Sequence, residues 1–241
     1  MSTFAKRCAK EILRDPLSLF FGLGFPVVLL FLLSAIQANI PVALFEINVL
    51  TPGITVFGLS FMTLFSATLI ARDRESAFIQ RLYATPLRSV DFILGYMLPI
   101  LPIALGQALA CYLVAIPLGL DFGVNVILAV LGIIPMAVFN ISLGLLCGSL
   151  LSVKQVGGIC GALLTNLSAW LSGVWFDLNL VGGAFGKIAN FLPFVHAVEL
   201  EKALFFGDFS AASAHILPIL AYSVLATVVA VLCFLGQMKK Q

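Results

Sequence analysis

Charge is scarce in this sequence: Asp, Glu, Lys and Arg make up 10% of its 241 residues, whereas 61% are hydrophobic. Soluble domains carry about 25% charged residues, and they have no need of repeated uncharged runs of about 20 residues, the length that crosses a bilayer. The mean hydropathy is +1.14. The sequence therefore predicts an integral membrane protein, and its net charge of +2 gives no indication of a nucleic-acid partner.

Residues that carry chemistry are also missing. None of the predicted spans has an acid or a histidine in its middle, which disfavours a proton or ion relay. His196 and His215 have no metal-ligand spacing, and Gly186-Lys187 lacks the rest of a phosphate-binding loop. The five cysteines show no CxxC spacing, so they resemble small buried hydrophobes. We expect no catalytic site, no cofactor and no metal site on this chain.

Six apolar runs have the length of membrane spans. Their predicted bounds are 17–36, 52–71, 92–118, 126–151, 156–175 and 214–236. The first run is too long for the apolar region of a usual signal peptide, so we interpret it as a retained span. Asp15-Pro16 and Thr51-Pro52 each fit an N-cap followed by a proline in the first helical turn. We predict one all-α transmembrane domain over residues 1–241.

Two segments outside these runs also have a helical pattern. In residues 1–15, Phe4, Cys8 and Ile12 share one helical face and basic residues surround it, which predicts an interfacial helix lying on the membrane. Residues 176–213 are too polar for a span and too apolar for a free loop. We predict short re-entrant helices there, dipping into the outer interface where protein or water covers the backbone.

Lys and Arg set the predicted orientation. Eleven of the 13 lie in the N-terminal stretch, the segment after the second span, the turn after the fourth, and the tail; only Lys187 and Lys202 lie elsewhere. Basic residues accumulate on the cytoplasmic side of membrane proteins. Both termini are therefore predicted to be cytoplasmic.

The segment after the second span is the most charged part of the chain, with seven charged residues among positions 72–91. Phe78, Ile79, Leu82 and Tyr83 recur at helical spacing, and Thr85-Pro86 stops the helix. The pattern predicts a short amphipathic docking helix over residues 74–84. An anchoring loop that only fixes topology is the alternative.

A few residues within the spans carry weaker signals. Asn140 and Asn166 are mid-span amides that either hydrogen-bond to a neighbouring helix or contact a substrate. Gly144-x-x-x-Gly148 and Gly157-x-x-x-Gly161 have the spacing of close helix packing.

The charged segment resembles the loop after the second span of ABC-2 type permeases, the membrane subunits of a class of ATP-driven exporters. The similarity is in three stretches: Asp73-Arg74-Glu75-Ser76-Ala77-Phe78, Leu82-Tyr83-Ala84-Thr85-Pro86 and Gly95-Tyr96. Within them, Ala77, Phe78 and Tyr96 depart from the family pattern. Leu171-Ser172-Gly173-Val174-Trp175-Phe176 resembles the family's end of the fifth span. Residues 192–199, from Leu192-Pro193 to Glu199, resemble its outer segment.

The resemblance implies partners and roles. It implies a dimer with a second copy or a close homologue, each permease docked on a separate ATPase subunit that binds ATP and Mg²⁺. The loop helix would be the coupling helix. Its expected ATPase contacts are Arg74, Glu75, Phe78, Arg81, Leu82, Thr85 and Pro86. The substrate path would be lined by Phe57, Phe61, Phe65, Asn166 and Trp170. The outer gate would contain Trp175, Pro193, Phe194, His196 and Glu199.

On this basis we expect the permease subunit of an ATP-driven exporter in the cytoplasmic (inner) membrane, in contact with membrane lipids. The absence of charge along the predicted path favours an amphipathic small molecule of drug or antibiotic type as substrate. The alternatives are a permease for a lipid-linked glycan, or a channel or transporter that works without an ATPase.

Overall fold

The computed structural model describes residues 2–41, 44–76, 89–176 and 178–238, and every regular element in these ranges is a helix. The helices are Ser2–Leu13 (α1), Pro16–Gln37 (α2), Ile47–Glu75 (α3), Val90–Leu118 (α4), Asn125–Leu150 (α5), 153–171 (α6), Leu178–Val181 (α7), Gly183–Phe191 (α8), Pro193–Phe206 (α9) and Phe209–Met238 (α10). Five of them, α2, α3, α4, α5 and α10, are long and apolar enough to cross a membrane. The prediction of an all-α membrane protein is confirmed.

The predicted span over residues 156–175 corresponds to α6, which is not among the five. Ser152 caps this helix in a capping box with Gln155, as the sequence S-V-K-Q allows. Lys154, Gln155 and Asn166 then lower the mean hydropathy of α6. The count of six spans therefore stays a prediction.

The two predicted proline starts have different outcomes. Asp15 accepts a hydrogen bond from the Ser18 N–H at 3.1 Å, which confirms the cap of α2. The start at Thr51-Pro52 is wrong, because α3 begins at Ile47 and Pro52 lies inside it. The Asn48 side chain donates to the Asp121 carboxylate at 2.6 Å and accepts from the Asp121 N–H at 3.0 Å. These two hydrogen bonds connect the first turn of α3 to the turn after α4.

Helix α3 is the centre of the bundle. Of its most apolar stretch, 89% is buried, against 22% for α2 and α10. It crosses α5 closely, since a methyl group at Gly144 would overlap Ser66 and the carbonyl of Thr63. Thr63 also donates to the Asn140 side chain at 3.0 Å. Asn140 is thus an interhelical hydrogen-bonding residue, and Gly144 lies at a close contact as predicted.

The second glycine pair behaves differently. Gly157 has open space where a side chain would stand, and Gly161 has only an ordinary contact with Leu64. Close packing at Gly157-x-x-x-Gly161 is therefore not made within the described part of the chain. Eight residues of α6 around this pair, Gly157–Leu164, form a π-helix.

Helix α1 is present where the sequence predicts it, but protein covers its apolar face. Phe4 packs edge-on against Tyr96 of α4 with ring centroids 4.9 Å apart, and it fills the space above Gly95 that a side chain would need. Phe4, Cys8 and Ile12 are all buried. The apolar stripe that predicted a helix lying on lipid is used instead for packing on α4, which leaves the basic residues Lys6 and Lys10 facing outward.

Helices α7, α8 and α9 form the segment between α6 and α10. Gly182, with a positive φ of +57°, separates α7 from α8, and Pro193 starts α9. Helix α9 packs along α10, α5 and the first turns of α3. Short helices are confirmed in this segment, while their re-entry into the membrane stays a prediction.

Candidate functional site

The last turn of α3 connects several elements at once. Consecutive residues on an α-helix point about 100° apart, so four in a row face almost all sides of the helix. Residues 72–75 are Arg-Asp-Arg-Glu, and each of them contacts a different part of the protein. We call residues 72–75 the charged hub.

Asp73 is the buried residue of the hub, with only 2% of its side chain exposed. Arg7 of α1 donates to both carboxylate oxygens of Asp73, from Nη1 to Oδ2 and from Nη2 to Oδ1, the latter at 2.6 Å. The Tyr96 hydroxyl of α4 donates to Oδ2 at 2.9 Å. Burial lowers the pKa of Arg7, but the hydrogen bond and charge of Asp73, with the charge of Glu11, outweigh this and raise the pKa above its usual range. Asp73 therefore holds α1 and α4 together.

Arg74 and Glu75 hold the turn between α5 and α6. Arg74 donates to the carbonyl of Ser149 and, at 2.5 Å, to that of Leu151, which are carbonyls left unpaired at the end of α5. Glu75 accepts from the N–H of Val153 at 2.9 Å, at the start of α6. Positive charge at a helix C-terminus and negative charge at an N-terminus are both favourable.

Arg72 completes the hub by reaching Asp15, the cap of α2, at 3.4 Å. The sequence predicts Arg74 and Glu75 as ATPase contacts, on the argument that such dense charge needs an outside partner. Both residues have partners within the chain, so this argument no longer applies to them. The other predicted contacts, Phe78, Arg81, Leu82, Thr85 and Pro86, lie outside the described residues.

The predicted path residues fall into two groups. Phe57, Phe61 and Phe65 of α3 are 7%, 5% and 3% exposed, so they belong to the core of the single chain. Trp170 of α6 is 58% exposed, and Asn166, whose amide donates to the carbonyl of Ala162, is exposed beside it. Only the α6 pair faces open space.

The buried phenylalanines form part of a row of aromatic contacts between α2 and Trp175 at the end of α6. The ring centroids of Phe25, on α2, and Phe61 are 5.7 Å apart, those of Phe61 and Phe57 are 5.9 Å apart, and those of Phe57 and Trp175 are 5.7 Å apart. Consecutive ring contacts therefore connect Trp175 to α2.

Two of the five predicted gate residues, Trp175 and Glu199, line a cavity of about 470 Å³ between α3, the end of α6 and α9. Trp175, Val195 and Glu199 line it, and Glu199 forms an ion pair with Lys202 at 2.9 Å. Phe194 points elsewhere, into the core against Phe139 at 6.1 Å. Pro193 is the first residue of α9. The structure thus brings Trp175 and Glu199 together and separates Phe194 from them.

His196 lies beside this cavity and contacts the other histidine of the chain. The Nδ1 atoms of His196 and His215 are 2.9 Å apart, and His196 Nε2 is 3.0 Å from the carbonyl oxygen of Asn190. The two residues belong to α9 and α10.

Glu201 was not identified as a site residue from the sequence, yet at 1% exposed it is the most buried acid among the described residues. Its carboxyl accepts from the Tyr112 hydroxyl of α4 at 2.9 Å. Burial raises the pKa of Glu201 well above its usual range, and the hydrogen bond from Tyr112 opposes this only in part. One signal was available: Ala197, Glu201 and Phe205 recur every four residues, so Glu201 falls on the buried face of α9.

Within the described residues, no group of three or more His, Cys, Asp or Glu side chains is placed to hold a metal ion. In a comparison with protein families, the model for the ABC-2 type transporter matches residues 1–206. The curated proteins and the solved structures give no match.

Proposed function

Because the chain belongs to the ABC-2 type transporter family and is a multi-pass membrane protein, we propose that it is the permease subunit of an ATP-driven exporter. ATP and Mg²⁺ bind to a separate ATPase subunit in this proposal, and the chain itself catalyses nothing. A second copy, or a close homologue, completes the membrane unit.

The charged hub is the observation that carries this proposal. Residues 77–88, which follow the hub after Ser76, contain the second part of the segment that resembles the coupling loop of the family. These residues connect the hub to α4 along the chain, so a force on them acts on residues 72–75, which contact α1, α4, the start of α2, and the turn between α5 and α6. A passive anchoring loop has no need for such connections. We therefore assign Phe78, Arg81, Leu82, Thr85 and Pro86 to ATPase contact, and Arg74 and Glu75 to transmission of the motion within the chain.

The resemblance implies a dimer, and exposed apolar surface on α2 and α6 is available for it. Helix α2 presents Phe20, Phe31 and Leu32, each about half exposed, and α6 presents Leu163 and Trp170. Both helices flank the buried α3. In our proposal these faces meet the second copy, and the substrate path runs between the copies along Asn166 and Trp170.

The substrate class follows from the lining of that path. It offers aromatic and aliphatic surface, one amide and no charge among the residues named, which suits an amphipathic small molecule of drug or antibiotic type better than a strongly charged solute. A lipid-linked glycan is the second choice, since aromatic side chains also stack on sugars.

The proposed location is the cytoplasmic membrane, with six spans and both termini inside. The support is the distribution of Lys and Arg, which favours a cytoplasmic position for the hub and residues 77–88. The cavity beside Trp175, together with α7 to α9, then lies on the outer side.

Two measurements test the proposal. The chain should co-purify with the ATPase encoded beside it, and cells or proteoliposomes should export amphipathic dyes only when both proteins are present. A Walker-lysine variant of the ATPase is the matched control and should abolish export without loss of co-purification. Full transport by the chain with no ATPase present would exclude the proposal and favour a transporter that works alone.

A further inference from the structure

The chain has two histidines, and the fold places them in direct contact although 18 residues separate them. His196 is on the first turn of α9, and His215 is on the second turn of α10. Their Nδ1 atoms are 2.9 Å apart, with ring centroids at 5.2 Å. Neither residue was expected from the sequence to have a histidine partner.

The hydrogen bonds determine where the protons lie. A carbonyl oxygen only accepts, so His196 Nε2, at 3.0 Å from the Asn190 carbonyl, carries a hydrogen. Neutral His196 then has a lone pair on Nδ1, and His215 must donate its Nδ1–H to it. The neutral pair therefore holds one proton between the two Nδ1 atoms.

Acid acts on this pair in two steps. The first added proton enters at His215 Nε2, the remaining free lone pair, and leaves the Nδ1–H···Nδ1 bond intact. The second added proton can enter only at His196 Nδ1, the acceptor of that bond. It converts the contact into two imidazolium rings whose N–H groups face each other, and the bond between α9 and α10 is lost.

The surrounding groups offer little compensation for positive charge on the pair. On α9 the acid near the pair is Glu199, three residues after His196, and it is already bound to Lys202 at 2.9 Å. From α8 the facing group is the neutral Asn190 carbonyl. On α10, Asp208 caps the N-terminus of its own helix by accepting from the Ala211 N–H at 3.0 Å. No second free acid is placed against the pair among the described residues.

We propose that the hydrogen bond between His196 and His215 is a pH-sensitive link between α9 and α10, which we call the fastening. It is closed at neutral pH and opened by acid. Helix α9 contributes Val195, Val198 and Glu199 to the wall of the cavity beside Trp175. Opening the fastening frees the start of α9 and thereby loosens this wall. That the acid acts from outside the cell rests on the proposed function, which places the cavity on the outer side.

The first experiment measures the fastening itself, on the purified full chain in nanodiscs with a histidine-free affinity tag. Amide hydrogen exchange of residues 193–206 is compared at pH 7.5 and pH 4.5, after correction for the intrinsic effect of pH. We expect exchange at the start of α9 to rise at least threefold at pH 4.5 and exchange in α5 to stay unchanged. ¹⁵N-histidine NMR of the same sample should show two coupled titration steps.

His215→Asn is the matched variant, because its amide N–H can donate to neutral His196 Nδ1 and its amide oxygen can accept from the Nδ1–H of protonated His196. It should keep α9 protected at both pH values. His215→Phe should leave α9 loosened at both. The proposal is overturned if the wild type and His215→Asn respond to acid alike, or if the two histidines titrate independently.

The second experiment tests the side on which acid acts. Vesicles of known orientation are acidified on one side only, and quenching of Trp175 fluorescence by acrylamide is followed in a Trp170→Phe background, which leaves Trp175 as the single tryptophan. Quenching should increase when the outer side is acidified. A response to acid on the cytoplasmic side alone contradicts the proposed orientation while leaving the fastening itself supported.

Discussion

Helix α4 carries the same hydrogen bond at both ends, in two different electrostatic settings. Tyr96 donates to Asp73 at 2.9 Å at one end, and Tyr112 donates to Glu201 at 2.9 Å at the other. Both carboxyl groups are almost completely buried. Arg7 accompanies Asp73, whereas Glu201 has Tyr112 as its hydrogen-bond partner and no ion pair among the described residues.

The difference shows how a membrane bundle tolerates a buried acid. A buried carboxylate needs a cation beside it, or else the group stays protonated and behaves as a neutral hydrogen-bonding residue. Asp73, in the charged hub, has the cation Arg7 beside it. Glu201, on the buried face of α9, is the acid that stays protonated. The charged pair of Arg7 and Asp73 suits a contact that transmits motion between helices. The neutral pair of Tyr112 and Glu201 suits a packing contact.

The largest expected effect is from removal of the charge of Asp73. Asp73→Asn removes the buried carboxylate that pairs with Arg7. Breaking a fully buried ion pair by removing one partner lowers the free energy of unfolding by about 3–5 kcal/mol. Because a third of the Arg7 side chain is exposed, we expect a smaller loss of stability, about 2 kcal/mol. Thermal unfolding in detergent measures it. The same exchange of carboxyl for amide in Glu201→Gln should change stability by less than about 0.5 kcal/mol. Equal losses in the two variants would contradict the comparison.

The next effect concerns the hydrogen bond to the neutral acid. Tyr112→Phe leaves the Glu201 carboxyl buried with no partner, and an unsatisfied buried polar group costs about 1–3 kcal/mol. We expect an unfolding free energy lower by about 1.5 kcal/mol. Restoration by the double variant Tyr112→Phe/Glu201→Leu, in which both ends of the bond are apolar, is the check. No restoration would show that Tyr112 matters through packing and not through this bond.

A third effect is the pH dependence of stability. Burial raises the folded-state pKa of Glu201 above its unfolded value, so the folded state binds more protons in the interval between the two. The stabilisation is fully present below the unfolded pKa, about 4.3, and is lost as the pH rises through the folded pKa. Unfolding curves at successive pH values should therefore show a decline in the wild type that Glu201→Gln makes shallower. Parallel curves for both proteins would mean that Glu201 is ionised in the fold.

The last effect is that of Tyr96→Phe. The Tyr96 hydroxyl donates to a carboxylate, and hydrogen bonds to charged groups contribute about 1.5–3 kcal/mol. Asp73 keeps both contacts with Arg7, so no unsatisfied group is left and we expect a loss at the lower end, about 1.5 kcal/mol. An apolar residue at the acid separates the two tyrosine variants in the same unfolding assay. Tyr96→Phe/Asp73→Leu should be less stable than Tyr96→Phe, because it removes the buried carboxylate that Arg7 binds, and a gain in stability there would contradict the assignment of the charged and the neutral pair.

Periodicity and composition were enough to predict most of the elements. The five long apolar helices, the cap at Asp15 and the helix before it follow from local patterns. Local rules failed at Thr51-Pro52, because the first turn of α3 is stabilised by Asp121, 73 residues away from Asn48. They also assigned the apolar face of α1 to lipid, since no local pattern shows that Phe4 fits over Gly95.

The candidate site was predictable only in outline. Dense charge after the second span showed that the region is special, but the partners of Arg74 and Glu75 are 75 to 78 residues away in sequence. The pairing of the two histidines and of Tyr112 with Glu201 depends on how α9 packs against α10 and α4. Such contacts between distant segments leave no trace in local spacing.

The central claim is that residues 72–75 transmit the motion of the coupling loop and do not themselves bind the ATPase. The most direct measurement compares Arg74→Ala with Arg81→Ala in one preparation, by co-purification with the ATPase and by ATP-dependent dye export. We predict that Arg74→Ala retains the ATPase but exports poorly, because the turn between α5 and α6 is released, whereas Arg81→Ala loses the ATPase. Loss of the ATPase from Arg74→Ala to the same degree as from Arg81→Ala would contradict the claim.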